Sequence, residues 1–325
     1  MPKKNIPFEE ILLTLKNPSV GLPTRHLERF SDIHPADLKA LMAVWPQIVP
    51  ARKQAFLQAL ADEYDENTQY SFRELAHAII HDPEPGVRVL AVRLLEEIED
   101  VNNLPLLIGL LRNDPQPVVR AAVATILKPF VEMAEIEELS PGVCDELLNN
   151  LIQAAQSGDA VVRRAALQSL GYSSRPEVSA LIDDALQHHD PLWIASALTA
   201  IGRSASARWN EDVLAHMRSE DREIRLAAVE AAGELGLKTA PSLLFELIED
   251  EEDDEVFEAI IWSLSQIGGE DVRPFLETLL DQAEEESAIE FIEEALMNLD
   301  FTEDMEGFDL IAFDPDDEPD VDEYR

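Results

Sequence analysis

His77 and His81 stand four residues apart, a spacing that sets two imidazoles on one helix face and, with further ligands, can hold a metal. Nothing in the sequence completes that set. The seven histidines are followed by Leu27, Pro35, Ala78, Asp82, His189, Asp190 and Met217, and no second ligand pair accompanies them, so the two read as ordinary helix surface. Cys144, the one cysteine, opens a predicted helix, where a thiol pKa can fall. With no His and Asn nearby in the sequence, it reads as a buried structural thiol. The segment DPDDEPDVDE (314–323) has the carboxylate density of a calcium loop, but Pro319 stands where the turn needs glycine. No Gly-rich phosphate loop, G-x-S-x-G or zinc pattern appears. The expectation is a chain with no catalytic residues, no metal and no cofactor.

Charge is the second strong signal. The net charge is −41, and it is unevenly spread. Residues 246–325 hold 31 acids and 2 bases (a net of −29), leaving 35 acids and 23 bases (a net of −12) for the first 245 residues. Nucleic-acid binding needs basic surface to displace counterions from phosphates, so the sequence argues against a nucleic-acid partner. No run approaches the roughly 18 uncharged apolar residues of a membrane span. MPKKNIPFEEILL places Glu9 and Glu10 where a signal peptide needs apolar residues. One cysteine suits a reducing compartment. A cytoplasmic protein is expected, with its oligomeric state open.

The elements that carry these residues repeat. HDPEPGVRVLAVRLLEEI (81–98), NDPQPVVRAAVATIL (113–127), SGDAVVRRAALQSLG (157–171), HDPLWIASALTAIG (189–202) and SEDREIRLAAVEAAGELG (219–236) each run from an acid and a turn, through an apolar anchor and usually an arginine, into an Ala-rich helix. Taking the position after the anchor gives Arg88, Arg120, Arg163, Ala195 and Arg225, continuing to Glu258 and Glu290, at spacings of 32, 43, 32, 30, 33 and 32. A period in this range means stacked helical units. An amphipathic first helix precedes each turn: 104–112, 144–155, 178–187, 241–248 and 273–280, with Pro105, Pro117, Pro176, Pro241 and Pro274 at or near helix starts. Asp82, Asp114, Asp159 and Asp221 are placed to cap the second helices. An extra 11 residues around 131–142 are expected to lengthen a helix and add a loop.

The D-x-x-x-V-R…A…L pattern resembles HEAT repeats, in the short form shared with the phycobilisome lyase-like group, clearly over 75–299 and more weakly over 1–74. There, helices are expected at 7–16, 24–31, 35–48 and 51–63. The resemblance implies an all-α fold: a right-handed α-solenoid of about nine antiparallel helix pairs, with second helices lining a concave face. The acid-rich composition of 300–325 adds the expectation of a disordered tail. The resemblance also implies that the arginines and turn acids (Asp82, Arg88, Asp114, Arg120, Asp159, Arg163, Asp221, Arg225) form a ladder between repeats, its exposed pairs contributing about 0–1 kcal/mol each. It implies a protein-binding scaffold. The alternative is a HEAT-like enzyme of lyase or hydroxylase type, or an accessory subunit of one. The hydroxylases carry His-Glu pairs that are absent here. The related DNA glycosylases use aromatic residues in a basic groove, for which Trp193, Trp209 and Trp262 would be the candidates.

The unbroken acidic run Glu249–Glu255 falls at one inter-helix turn, with Phe257 in the anchor slot and Glu258 where the arginine is expected. Glu251, Glu252, Asp253, Asp254, Glu258 and Glu290 are therefore candidates for contact with a basic protein partner. The tail is a plain solubilising extension, or its Phe308, Leu310, Ile311 and Phe313 either cover the last repeat or form an acidic-hydrophobic recognition segment.

Overall fold

The computed structural model describes residues 6–66, 69–96, 100–156 and 158–311. Among these residues there is no strand, and helices follow one another from end to end. The fold is all-α, of the solenoid class, and it falls into two units, Met1–Leu181 and Ile182–Arg325. The first holds α1 (Phe8–Lys16), α2 (Pro35–Val44), α3 (Pro50–Glu66), α4 (Arg73–Ile79), α5 (Pro85–Glu96), α6 (Leu104–Asn113), α7 (Pro117–Ile126), α8 (Lys128–Glu135), α9 (Pro141–Gln156) and α10 (Ala160–Leu170). After α11 (Pro176–Leu186), which runs across the division, the second holds α12 (Pro191–Gly202), α13 (Asn210–His216), α14 (Arg222–Glu234), α15 (Pro241–Ile248), α16 (Asp254–Ile267), α17 (Val272–Gln282) and α18 (Glu286–Ile311).

In the first unit α4 packs on α5, α6 on α7 and α9 on α10, while the second helices α3, α5, α7 and α10 follow one another in a row. In the second unit α13 packs on α14, α15 on α16 and α17 on α18, beside the row α12, α14, α16 and α18. The local causes are plain in α16. Asp253 accepts the Val256 N–H as N-cap, and Val256, Ile260, Ile261, Leu264 and Ile267 form the buried stripe. Each fully buried aliphatic side chain contributes about 1.5–3 kcal/mol of transfer free energy. Proline starts α3, α5, α7, α9, α11, α12 and α15, where its missing N–H costs no intrahelical bond.

Three segments differ from the sequence expectation. Thr24–Phe30 is a 3-10 segment rather than an α-helix, interrupted by non-helical backbone at His26. The inserted residues do not lengthen α7. It stops at Ile126, and Pro129, which has no N–H to continue the ladder, stands in the first turn of the separate helix α8, whose Phe130 and Val131 are buried. At the acidic end the helix does not stop near Asp300. α18 continues to Ile311, so Phe308, Leu310 and Ile311 belong to helical backbone, and Phe313 lies outside the described residues.

Candidate functional site: an inter-repeat ladder and an acid-lined groove

The fourth helical residue of each second helix occupies a common slot. Lys53, Arg88, Arg120, Arg163 and Arg225 each donate the backbone N–H to the residue four before it (Val49, Glu84, Gln116, Asp159 and Asp221). Three of these arginines reach back to a backbone carbonyl six or five residues earlier: Arg88 to Asp82 and Pro83, Arg120 to Asp114, Arg225 to Ser219. They also reach forward to the next repeat. Lys53 Nζ lies 2.7 Å from Asp82 Oδ2. Arg88 grips Asp114 with both nitrogens, at 2.7 and 2.8 Å. Arg120 meets Asp159 at 3.0 Å, and Arg225 grips Glu251 at 2.7 and 3.0 Å. Arg163 donates to the Ala155 carbonyl.

The first rungs are not exposed pairs. Side-chain exposure is 7% and 2% for Lys53 and Asp82, and 9% and 4% for Arg88 and Asp114. Pairs buried to this degree behave differently from surface bridges, because removing one partner strands the other and costs about 3–5 kcal/mol. Burial alone would raise the Asp82 carboxyl, but Lys53, the Glu84 N–H and the Trp45 indole, 2.8 Å away, hold it below the usual range. Asp114 shows the same balance, with Arg88 and the Gln116 N–H overcoming burial. Asp82 and Asp114 therefore do not cap the second helices. Each lies before the cap, committed to the preceding repeat's cation. Asp159 occupies the N-cap of α10 without a side-chain cap bond, whereas Asp221 accepts from both the Glu223 and Ile224 N–H groups.

The same backbone register corrects the sequence alignment at the acidic end. Phe257 donates to Asp253 and Ile289 to Glu285, so Phe257 and Ile289 occupy the slot held elsewhere by arginine, and Val256 is the buried anchor. Glu258 and Glu290 lie one residue beyond it, and Ala195 lies one beyond Ile194, which follows the N-cap Asp190 by four. At Phe257 the slot has lost its cation, and the facing position has lost its acid as well. Arg88 pairs with the residue 26 further on, Asp114, and Arg225 with Glu251. From Phe257 the same step reaches Ala283.

Much of the acidic run is thus occupied. Glu251 is 7% exposed and held low by Arg225. Asp253 caps α16 and is held low by Arg222, which also binds Glu223 and Glu255. Glu251 and Asp253 are structural rather than available to a partner. Glu252, Asp254, Glu258 and Glu290 are exposed.

Glu258 leads to a feature that the sequence reading did not single out. A groove of about 430 Å³ lies across α12, α14, α16 and α18 in the second unit, with Thr199, Arg203, Glu230, Ala231, Glu234, Glu255, Glu258, Ala259, Trp262, Ser263, Gln266 and Phe291 along its walls. The helices behind it approach closely: a side chain at Gly202 would meet the Ala231 Cα at 3.0 Å, and one at Gly233 would meet Ser263. Four carboxylates face one guanidinium there. Glu255 is bound by Arg222, whereas Glu230 and Glu258 have no ion-pair partner among the described residues. The Glu230 side chain is open to water along the groove. Even so, the crowding protein strips enough hydration, and Glu234 and Glu255 add enough repulsion, to push its carboxyl up despite Arg203 nearby. Trp262 and Phe291 are half-buried, their ring centres 6.4 Å apart at 33°. Trp193 and Trp209 are in the core instead, the latter donating to Asp183 at 2.9 Å.

The residues whose types suggested chemistry are scattered. His77 lies in α4 and His81 beyond its end, and among the described residues no group of three or more His, Cys, Asp or Glu could hold a metal. Cys144 is half-buried rather than buried, in the first turn of α9.

Residues 49–128 and 210–297, just over half of the chain, match the family model of HEAT repeats. The chain belongs to the HEAT-repeat family. The match goes no finer than that, and it does not single out the phycobilisome lyase-like group. The HEAT repeats of this chain have no match among curated proteins. Similar solved structures include YibA of E. coli, at 16% identity over 92% of this chain and 99% of that one, with a TM-score of 0.41. Human deoxyhypusine hydroxylase is similar at 17% identity over 80% and 95%, with a TM-score of 0.34. Importin beta is similar at 15% identity over 91% of this chain and 51% of its own, with a TM-score of 0.31. Scores of this size leave the function of the HEAT array to its own residues. No helix among the described residues is long and apolar enough to cross a membrane.

Proposed function

We propose that this HEAT-repeat chain is a non-catalytic cytoplasmic scaffold that binds a basic segment of a partner protein in the groove of its second unit. One observation carries the reading: Glu230 and Glu258 line a concave surface beside a half-exposed aromatic wall, without ion pairs of their own. Elsewhere among the described residues of the second unit, the lysine and arginines are committed. Arg208 binds Asp183, Arg218 binds Glu246, Arg222 and Arg225 bind the 251–255 turn, Arg273 binds Asp300 and Glu303, and Lys238 binds the Ile267 carbonyl. The remaining acids, with exposed Glu252, Asp254 and Glu290 among them, give a negative field that attracts a basic surface within about 8 Å at physiological ionic strength and further at low salt. The same field opposes a phosphate backbone, so nucleic acid is not the partner.

The test is calorimetric titration of the full chain with three 12-residue peptides of basic, neutral and acidic composition at two salt concentrations. The reading requires binding of the basic peptide alone, weakening as salt rises. Equal binding of all three, or binding of the acidic one, would defeat it.

A further inference from the structure

We infer that the groove of the second unit is an arginine-recognition site, in which the guanidinium of an extended partner segment lies on the Trp262 indole and is bonded by the carboxylates of Glu258 and Glu230. This inference rests on the scaffold reading above and specifies what that scaffold selects. Glu255, Glu258, Ala259, Trp262 and Gln266 lie on one face of α16, at helical spacing, with Glu258 one turn from Trp262. Glu230 and Glu234 come from the neighbouring α14, again one turn apart, and Phe291 of α18 extends the aromatic wall. A cation entering between these helices meets an indole and carboxylates from two separate helices.

That combination favours a planar cation. A guanidinium stacks on an indole and offers its in-plane donors to carboxylates at the same time, whereas an ammonium has no plane to stack and no paired donors. The volume, about 430 Å³, suits one or two long side chains rather than a folded surface. Ala231 and Ala259 leave space where larger residues would fill it. The resident Arg203 does not neutralise the groove, since four carboxylates line it beside that one guanidinium. The site is more than a patch of acids. It has depth, an aromatic wall and a charge surplus that a cation offsets.

The test compares two fluorescein-labelled 12-residue peptides of equal charge, one bearing arginine and the other lysine at the same positions, by anisotropy with the full chain. The arginine peptide is expected to bind about tenfold more tightly, the scale of one cation–π contact plus a paired hydrogen bond. Trp262→Leu, with its fold checked by circular dichroism and thermal melting, should bring the two peptides within about twofold of each other by weakening the arginine peptide. Trp262→Phe should keep part of the preference. If both peptides bind equally well to the wild type, or if Trp262→Leu keeps the preference, the inference fails while the scaffold reading stands. If neither peptide binds, both fail.

Discussion

Arg88 and Asp114, which stand 26 residues apart in sequence, face each other between consecutive repeats, joined by two hydrogen bonds of 2.7 and 2.8 Å and almost wholly removed from water. Arg88→Met alone should lower the unfolding free energy by about 3–5 kcal/mol, because the Asp114 charge is left buried without its partner. Arg88→Met with Asp114→Leu should recover most of that loss. Urea denaturation of the wild type, both single variants and the double variant measures the cycle. A double variant as weak as the sum of the singles would contradict a coupled buried pair.

The pH dependence follows from the lowered carboxyls. Asp82 and Asp114 have folded values below their ordinary 3.8. Their stabilisation is therefore complete above about pH 3.8 and is lost as pH falls from there through the lowered folded values. The stability gap between the wild type and Asp114→Asn should be constant from pH 7 to about 5 and narrow below about 3.8. Urea midpoints across that range check it.

Glu230 should behave in the opposite sense. Hydration lost to the crowding groove wall, then Glu234 and Glu255, raise its carboxyl above the ordinary 4.5, with Arg203 opposing. The cost of its charge is present at neutral pH and disappears as pH falls through the raised value toward 4.5. Glu230→Gln should melt at a higher temperature than the wild type at pH 7, with the difference closing in mild acid.

The missing rung at the acidic end offers a constructive test. Phe257→Arg alone should not stabilise the protein, because Ala283 gives it no carboxylate to meet. Phe257→Arg combined with Ala283→Glu rebuilds both halves at the spacing of Arg225 and Glu251. The double variant should exceed the sum of the single effects in a thermal-melt cycle. Simple additivity would show that restoring the spacing of Arg225 and Glu251 does not rebuild a rung here.

The helices were legible because Ala- and Leu-rich stripes, turn acids and first-turn prolines agree with one another from α4 to α17. The ladder arginines could be found from spacing alone. The slot at the acidic end was misread by one residue, because the acids Glu258 and Glu290 directly follow Phe257 and Ile289, and only the first helical hydrogen bond fixes the register. Lys53 was overlooked because it is a lysine 35 residues before Arg88, yet its place four after Val49 marks it. The groove needs residues from four helices, so no short motif carries it. Its trace in the sequence is the recurrence of Thr199, Glu230 and Trp262, and of Arg203, Glu234 and Gln266, at steps of 31 and 32. α18 outran the expected end of the repeat because contacts to α16 and α17 continue past Leu299: Thr302 bonds the Ser265 carbonyl, and Arg273 binds Asp300 and Glu303.

The most direct measurement is the affinity of the full chain for a basic 12-residue peptide, compared with that of Glu230→Gln/Glu258→Gln, at low and physiological salt. Both changes keep side-chain shape and remove only the two groove carboxylates that lack ion pairs. The account predicts at least about tenfold weaker binding and a shallower salt dependence for the double variant, as expected when two charge-assisted contacts are lost. Unchanged affinity and unchanged salt dependence, in a variant that melts like the wild type, would contradict it.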